Sequence, residues 1–409
     1  MIRLFVVIFL TVAAGAAGPV KAQSAAGPAS LNETIAALAE TGGRIELAGG
    51  DYGPVTIVQA FPADRPLVLA AANASDPPRL SGLQVSGASN VVIEGLVLDY
   101  RYSPGDAPFL RPFQILSSAH VTLRDVLIDG DVALGVEAAF DGFPTAYGLG
   151  IRFSEDVRLE TSEIRGFARG IVTSESRDIA FVGNDLHSLR SDGMDFAQVE
   201  DVLVEGNHIH DFARSEAAGD HADMIQFWTS GTTGPTRNVT IRDNILESGQ
   251  SAWSQSIFIR NELVDTGTAG DEMFYRNITI ENNFIHNAHL HGISVGEVDG
   301  LVIRGNTLLH NPAGAGENPD QEMWRPRINV SQDARNVVVT RNVTHALPAV
   351  PNRADWQVSD NLVVQDRSRL QANFYGTVFE GWDWRRADSF VPRPGGPLDG
   401  TRIGASLLP

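Results

Sequence analysis

Cysteine is absent from the 409 residues, and lysine occurs once, at Lys21. The first absence excludes disulfides, thiolate nucleophiles and Cys-ligated zinc. The second excludes any mechanism built on a lysine base or a lysine Schiff base. Positive charge is also scarce, with 31 basic against 50 acidic residues and a formal charge of −19. That balance does not fit a nucleic-acid binder, which needs a basic face. Beyond the N-terminus no stretch approaches the ~18 consecutive apolar residues of a membrane-spanning helix. What is present is 43% hydrophobic residues, 40 glycines and 21 prolines, the composition of a turn-rich globular chain.

Residues 1–22 carry Arg3, an apolar run from Leu4 to Ala17 and a small-residue end at Val20-Lys21-Ala22. This is the pattern of a cleavable secretory signal, so a secreted or periplasmic location is expected. Cleavage would remove the only lysine and leave a chain of charge about −21.

A motif of alternating apolar residues recurs at Asn90-Val-Val-Ile, His120-Val-Thr-Leu, Asp156-Val-Arg-Leu, Asp178-Ile-Ala-Phe, Asp201-Val-Leu-Val, Asn238-Val-Thr-Ile, Asn277-Ile-Thr-Ile, Gly300-Leu-Val-Ile and Asn336-Val-Val-Val. The period of two makes each a strand, and the base spacing of 22 or 23 residues, lengthened in places to 30–39, is that of a solenoid coil with insertions. About six residues into each unit an asparagine returns, at Asn184, Asn207, Asn244, Asn283, Asn306, Asn342 and Asn361. Stacked at one corner of successive coils, these amides would bond one another as a ladder. His187, His210, His286 and His345 follow ladder asparagines by three residues and read as a stacked structural set rather than as zinc ligands. The sequons at Asn238, Asn277 and Asn342 read as strand chemistry rather than glycosylation sites.

The expected architecture is all-β, a single-stranded right-handed parallel β-helix with a short N-terminal capping helix and an irregular C-terminal tail. Its expected divisions are the signal (1–22), an N-terminal cap (23–60) with a helix over Glu33–Ala39 behind a Ser30/Asn32 capping region, the β-helix (61–365) and the tail (366–409). On its cap, its repeat and its tail the chain resembles the secreted pectate-lyase-like right-handed β-helix superfamily, which includes alginate-lyase-like polysaccharide lyases.

A second strand of each coil aligns as Gly150-Ile-Arg-Phe, Gly170-Ile-Val-Thr, Gly193-Met-Asp-Phe, Met224-Ile-Gln-Phe, Ser256-Ile-Phe-Ile, Gly292-Ile-Ser-Val and Arg327-Ile-Asn-Val. The aliphatic residues of this set point inward, and the column that includes Asp195 and Gln226 points to solvent. Coils stack at about 4.8 Å, so Asp192, Asp195 and Asp223 are expected to cluster on one face. Carboxylates that close cannot all ionise without a cation or a shared proton, which is how an acid and a base arise from identical residues. Trp228 and Phe258 would offer a sugar platform, with Arg260 as a nearby cation.

The order Ser191-Asp-Gly, Asp220-His-Ala-Asp223, His291-Gly-Ile and Arg327-Ile is similar to that of polygalacturonase-type glycoside hydrolases. The resemblance implies carboxylate roles for Asp192 and Asp223, a catalytic role for His291 and substrate binding by Arg327. The chain departs from the pattern at Arg190, Leu290 and Asn329 and inserts a coil before the third motif. Three functions stay open. The favoured one is hydrolysis of an extracellular polysaccharide by paired aspartates of Asp192, Asp195 and Asp223 with His291, and with Gln226, Trp228, His221, Arg260 and Arg327 binding substrate. It requires no cofactor. The second is β-elimination or C5 epimerisation of a uronate polymer, with Ca2+ held by Asp192, Asp195 and Asp223 and a base drawn from Arg260, His221, His291 or Tyr147. The third is a non-catalytic polysaccharide-binding or export protein. All three imply a polysaccharide partner, no nucleic acid and no membrane span.

Overall fold

A computed structural model describes residues 28–251, 253–316, 318, 320–381 and 389–407. The signal lies outside the described residues. Three all-parallel sheets of 12, 12 and 10 strands run the length of the chain, each strand pairing with its equivalent one coil earlier and one coil later. The sequence pattern gives two strands per coil, whereas the structure has three. The third is a three-residue piece such as Asp185–His187 or His208–His210, too short to register an alternation. No helix among the described residues is long and apolar enough to cross a membrane.

The first residue of the repeated motif has a physical cause. Asn90, His120, Asp156, Asp178, Asp201, Asn238, Asn277 and Asn336 all have φ between 48° and 59°. Asn, Asp and His tolerate this left-handed conformation better than other side-chain-bearing residues. Their side chains also bond from coil to coil: Asn277 Nδ2 donates to Asn238 Oδ1 and Asn238 Nδ2 to Asp201 Oδ1, each at 2.9 Å.

The asparagine ladder stands at the corner between the first and second sheets. Asn207 donates its backbone N–H and its Nδ2 to Asn244 Oδ1, and Asn244 does the same to Asn283 Oδ1, at 2.9–3.1 Å. Each Nδ2 also caps a carbonyl of an earlier coil, as in Asn244 to Val204. Inside the coils, aliphatic and aromatic side chains form one continuous core from Leu31 to Trp356.

Helix α1 (Pro28–Ala37) begins earlier than the sequence reading, with Pro28 in its first turn, where a missing N–H costs nothing. Asn32 is not a cap: its side chain accepts from the Thr56 N–H and fastens the helix to the first coil. That coil begins at Gly43–Leu47, inside the segment read as a cap, because this strand pairs with Leu67–Ala71 as regularly as later coils pair. One alignment also changes. Leu149, not Ile151, stacks on Ile171, so Arg152 faces Ser174 and Tyr147 takes the place beside Arg169.

Candidate active site

The cluster is built on the third sheet by the strands Tyr147–Arg152, Arg169–Ser174, Met194–Ala197 and Ala222–Trp228. Val172, Asp195, Gln226 and Phe258 are register neighbours on four successive coils. Asp192 is joined to Asp223 by the Asp223 N–H, which donates to Asp192 Oδ1 at 3.0 Å. Gly193 is needed here for closeness rather than for a turn. A Cβ at this position would stand 2.4 Å from the Met224 carbonyl oxygen, and φ is not left-handed.

The three aspartates do cluster, but they do not face solvent. Asp192 is 1% exposed, and Asp195 and Asp223 are fully covered. Their charges meet Arg169, whose Nε lies 3.1 Å from Asp192 Oδ2 and whose Nη1 lies 2.9 Å from Asp195 Oδ2. Its guanidinium sits between the rings of Tyr147 and Trp228, 5.4 and 5.8 Å from their centres, within cation–π range. Arg169 directly precedes the Gly170-Ile-Val-Thr strand, one coil before Asp192, and is not among the candidates named from sequence. Opposite charges one coil apart were the available signal.

Two insertions wall the cluster. Arg190, buried, pairs with Asp220 and donates to the Pro144 carbonyl, with its guanidinium 4.8 Å from the Phe140 ring. Ser191 Oγ donates to the His221 carbonyl and Ser215 Oγ to that of Ala139. These contacts hold residues 211–221 against residues 139–144. His221 results as the titratable group turned outward, its side chain 54% exposed and its Nδ1 3.0 Å from Asp223 Oδ2.

The electrostatics divide the cluster. Burial pushes the Asp192 carboxyl up to about 6, opposed by Arg169. Burial and the neighbouring Asp192 charge hold Asp195 well above the carboxylate range. Asp223 is also raised by burial, with His221 and Arg169 pulling the other way. The bond to Asp223 raises the His221 imidazole. Burial raises the Tyr147 phenol, so Tyr147 carries its proton at neutral pH.

The remaining candidates lie further along the sheet. Gln226 is beside Asp195, and Trp228 is beside Arg169. His291 stands two coils beyond Asp223, about 10 Å away at the coil spacing, with Gln255 between them. It therefore does not tune the aspartates. Its Nδ1 bonds Ser294 Oγ at 2.7 Å, its ring lies 4.9 Å from Phe258, and burial pushes it down to about 4. His289, unassigned from sequence, adjoins it and is pushed down to about 3. Arg327 faces His291 one coil on, and its buried Nε has no partner among the described residues. Arg260 is not part of the cluster: it turns outward to Asp265, with Nε to Oδ2 at 2.9 Å. The cation beside the aspartates is Arg169 instead.

Asp192, His221 and Asp223 offer ligand atoms within 4.8 Å of one another. Calcium does not fit them. It wants six to eight oxygens, while Arg169 already lies between Asp192 and Asp195 and the Asp223 amide occupies Asp192 Oδ1.

Further along the same sheet, on the N-terminal side, lies a cavity of about 220 Å³ lined by Val172, Gly150 and Gln114 with Trp228 and Thr232; of the candidate site residues Trp228 alone lines it. Comparison with known proteins agrees with this architecture. The family model for a right-handed β-helix region matches residues 223–348. The chain is a right-handed parallel β-helix. Among solved β-helix structures, PfbA, a surface adhesin of Streptococcus pneumoniae, is 12% identical over 82% of this chain and 89% of its own, with a TM-score of 0.53. The mannuronan C-5 epimerase AlgE6 A-module of Azotobacter vinelandii is 13% identical over 83% and 96%, with a TM-score of 0.44. DFA-IIIase from Arthrobacter chlorophenolicus A6 is 12% identical over 83% and 84%, with a TM-score of 0.46. With PfbA, at 12% identity, the fold alone is shared. No curated protein matches the chain in sequence.

Proposed function

We propose that this β-helix is an exported carbohydrate-active enzyme that moves the proton at C5 of a uronate polymer, in β-elimination or epimerisation. The observation that carries this reading is the difference in access within the cluster. The aspartates are sealed, whereas His221 is 54% exposed and Arg169 29% exposed. A C5 proton becomes acidic once the adjoining carboxylate is neutralised. Arg169, held by two aspartates through Nε and Nη1, keeps Nη2 for that carboxylate. His221, oriented by Asp223, then takes the C5 proton, and the protonated Tyr147 phenol supplies one to the leaving oxygen or to the opposite face. In this reading Arg169 does the neutralising, and no calcium is needed.

A uronate polymer incubated with the protein and EDTA should give either an unsaturated product absorbing near the ultraviolet edge or exchange of C5 hydrogen with solvent deuterium. His221→Ala should lower kcat/KM at least 100-fold. Because a base must be deprotonated, kcat/KM should rise with pH along a limb above the ordinary imidazole value of about 6.5. Asp223→Asn should move that limb downward. Full activity in His221→Ala would sink the assignment.

Hydrolysis is the second reading, favoured by two neighbouring carboxyls in different surroundings, Asp192 pushed up to about 6 by burial and Asp223 bonded to His221. It predicts new reducing ends without a double bond, lost in Asp192→Asn. Binding without turnover of neutral or uronate polymers would support the non-catalytic alternative.

A further inference from the structure

We propose a second site, for a first-row divalent transition metal ion, on the outer face of the second sheet. It uses Asp185, His208 and His210, with Glu247 as the fourth ligand. It lies on a different sheet from the acid cluster and does not depend on the reaction assigned there.

The strands Asp185–His187 and His208–His210 are adjacent coils in register, Asp185 on His208 and His187 on His210. Alternation places both imidazoles of His-Ile-His on the same side, and their rings stack 4.0 Å apart. Asp185, His208 and His210 each offer one ligand atom, all within 4.8 Å of one another. His210 Nε2 is 2.8 Å from Asp185 Oδ1, and His208 Nε2 is 2.9 Å from Glu247 Oε2 on the next coil. A tetrahedral zinc with bonds of about 2.0–2.1 Å separates its ligand atoms by about 3.3 Å, between the 2.8 Å of the His210–Asp185 pair and the 4.8 Å that bounds the set.

Two further observations point to a ligand. His210 Nδ1 is held by Asp211 Oδ2 at 2.8 Å, which fixes the ring with Nε2 forward, as carboxylates do behind metal-bound histidines. His286, 2% exposed, lines the same 510 Å³ cavity as His208, His210 and Glu247, and its Nε2 has no partner among the described residues. Two imidazoles with two carboxylates suit zinc, nickel or copper, and give too few oxygens for calcium. The sequence spacing marked His210 only as part of a histidine stack. It does stack on His187, at 5.2 Å between ring centres, but its other face meets His208 and its Nε2 meets Asp185.

The test is equilibrium dialysis of the full-length protein against Zn2+, with a melting curve at each zinc concentration. One zinc per chain should bind saturably and raise Tm. His208→Ala and Asp185→Asn should each weaken binding at least tenfold, and Asp211→Asn about 10- to 100-fold through loss of ring orientation. His221→Ala should leave zinc binding unchanged. Absence of saturable zinc, or binding that survives both His208→Ala and Asp185→Asn, would overturn the proposal. Binding abolished by His221→Ala would overturn it too, by placing the ion at the acid cluster. Asp185 is half exposed and on the surface, so Asp185→Asn keeps the test open if His208→Ala does not fold.

Discussion

Asn244→Ala should cost the fold about 3–6 kcal/mol, a loss out of proportion to the few atoms removed. Asn244 is fully buried, and its Oδ1 accepts from both the N–H and the Nδ2 of Asn207, while its own Nδ2 reaches the Val204 carbonyl and Asn283. Alanine takes this partner from the Asn207 N–H, from one of the two Nδ2 hydrogens of Asn207, the other staying on the Phe181 carbonyl, and from the Val204 carbonyl, where water cannot reach. Each orphaned buried group costs about 1–3 kcal/mol. The comparison is Asn361→Ala at the ladder's last rung, which makes bonds of the same kind but is only half-buried. Water can replace its partners, and about 1 kcal/mol is expected. Urea unfolding of the two variants measures the difference. Equal losses would mean that the ladder is not what holds this corner.

Arg169→Ala should be nearly as damaging, and its cost should depend on pH. Removing one partner of a buried ion pair typically costs about 3–5 kcal/mol, and here a single cation serves two buried carboxylates. The direction follows from linkage. A carboxyl raised in the fold binds its proton more tightly there than in the unfolded chain, so stability falls as pH rises between the two pKa values. For Asp192 that window runs from the ordinary 3.8 to about 6. Without Arg169 both Asp192 and Asp195 move higher still, and the penalty should be clearly larger at pH 7.5 than at pH 5. Adding Asp195→Asn to Arg169→Ala should recover part of the loss at pH 7.5. A penalty identical at both pH values would show that Arg169 acts by packing alone. Activity should be lost in either case, because the group that meets the substrate carboxylate is gone.

Much of this architecture could be read from residue order, since a coil repeats its demands. The Asx or His that opens each unit marks a left-handed backbone, and the asparagine six residues later marks a buried corner. The third strand was missed because Asp-Leu-His and Glu-Ile-Arg carry a single inward residue each, too little to define a period. The site was legible as a meeting of Asp192, Asp195 and Asp223, because coil stacking alone brings them together. Their burial was not legible, because it comes from residues 139–144 and 211–221, whose path depends on contacts such as Arg190 with Asp220. Arg260 shows the same limit: its place directly after the strand Ser254–Ile259 was readable, but the short helix Glu262–Asp265 that supplies its partner was not. The two-residue offset at Leu149 arose because Gly148 and Gly150 fit either alignment by pattern.

The N-terminal helix covers the edge of the first coil. Leu31 and Ile35 are fully buried against the first coil, and Asn32 takes up the Thr56 amide. Each coil offers the next a row of backbone donors and acceptors at the same step of about 4.8 Å, and nothing in that geometry distinguishes the next coil of one molecule from the first coil of another. Cut away residues 28–37 and the first coil becomes an open template, matched to the far end of a neighbouring chain. Deleting residues 28–37 should therefore turn the first coil into an edge on which end-to-end association can start.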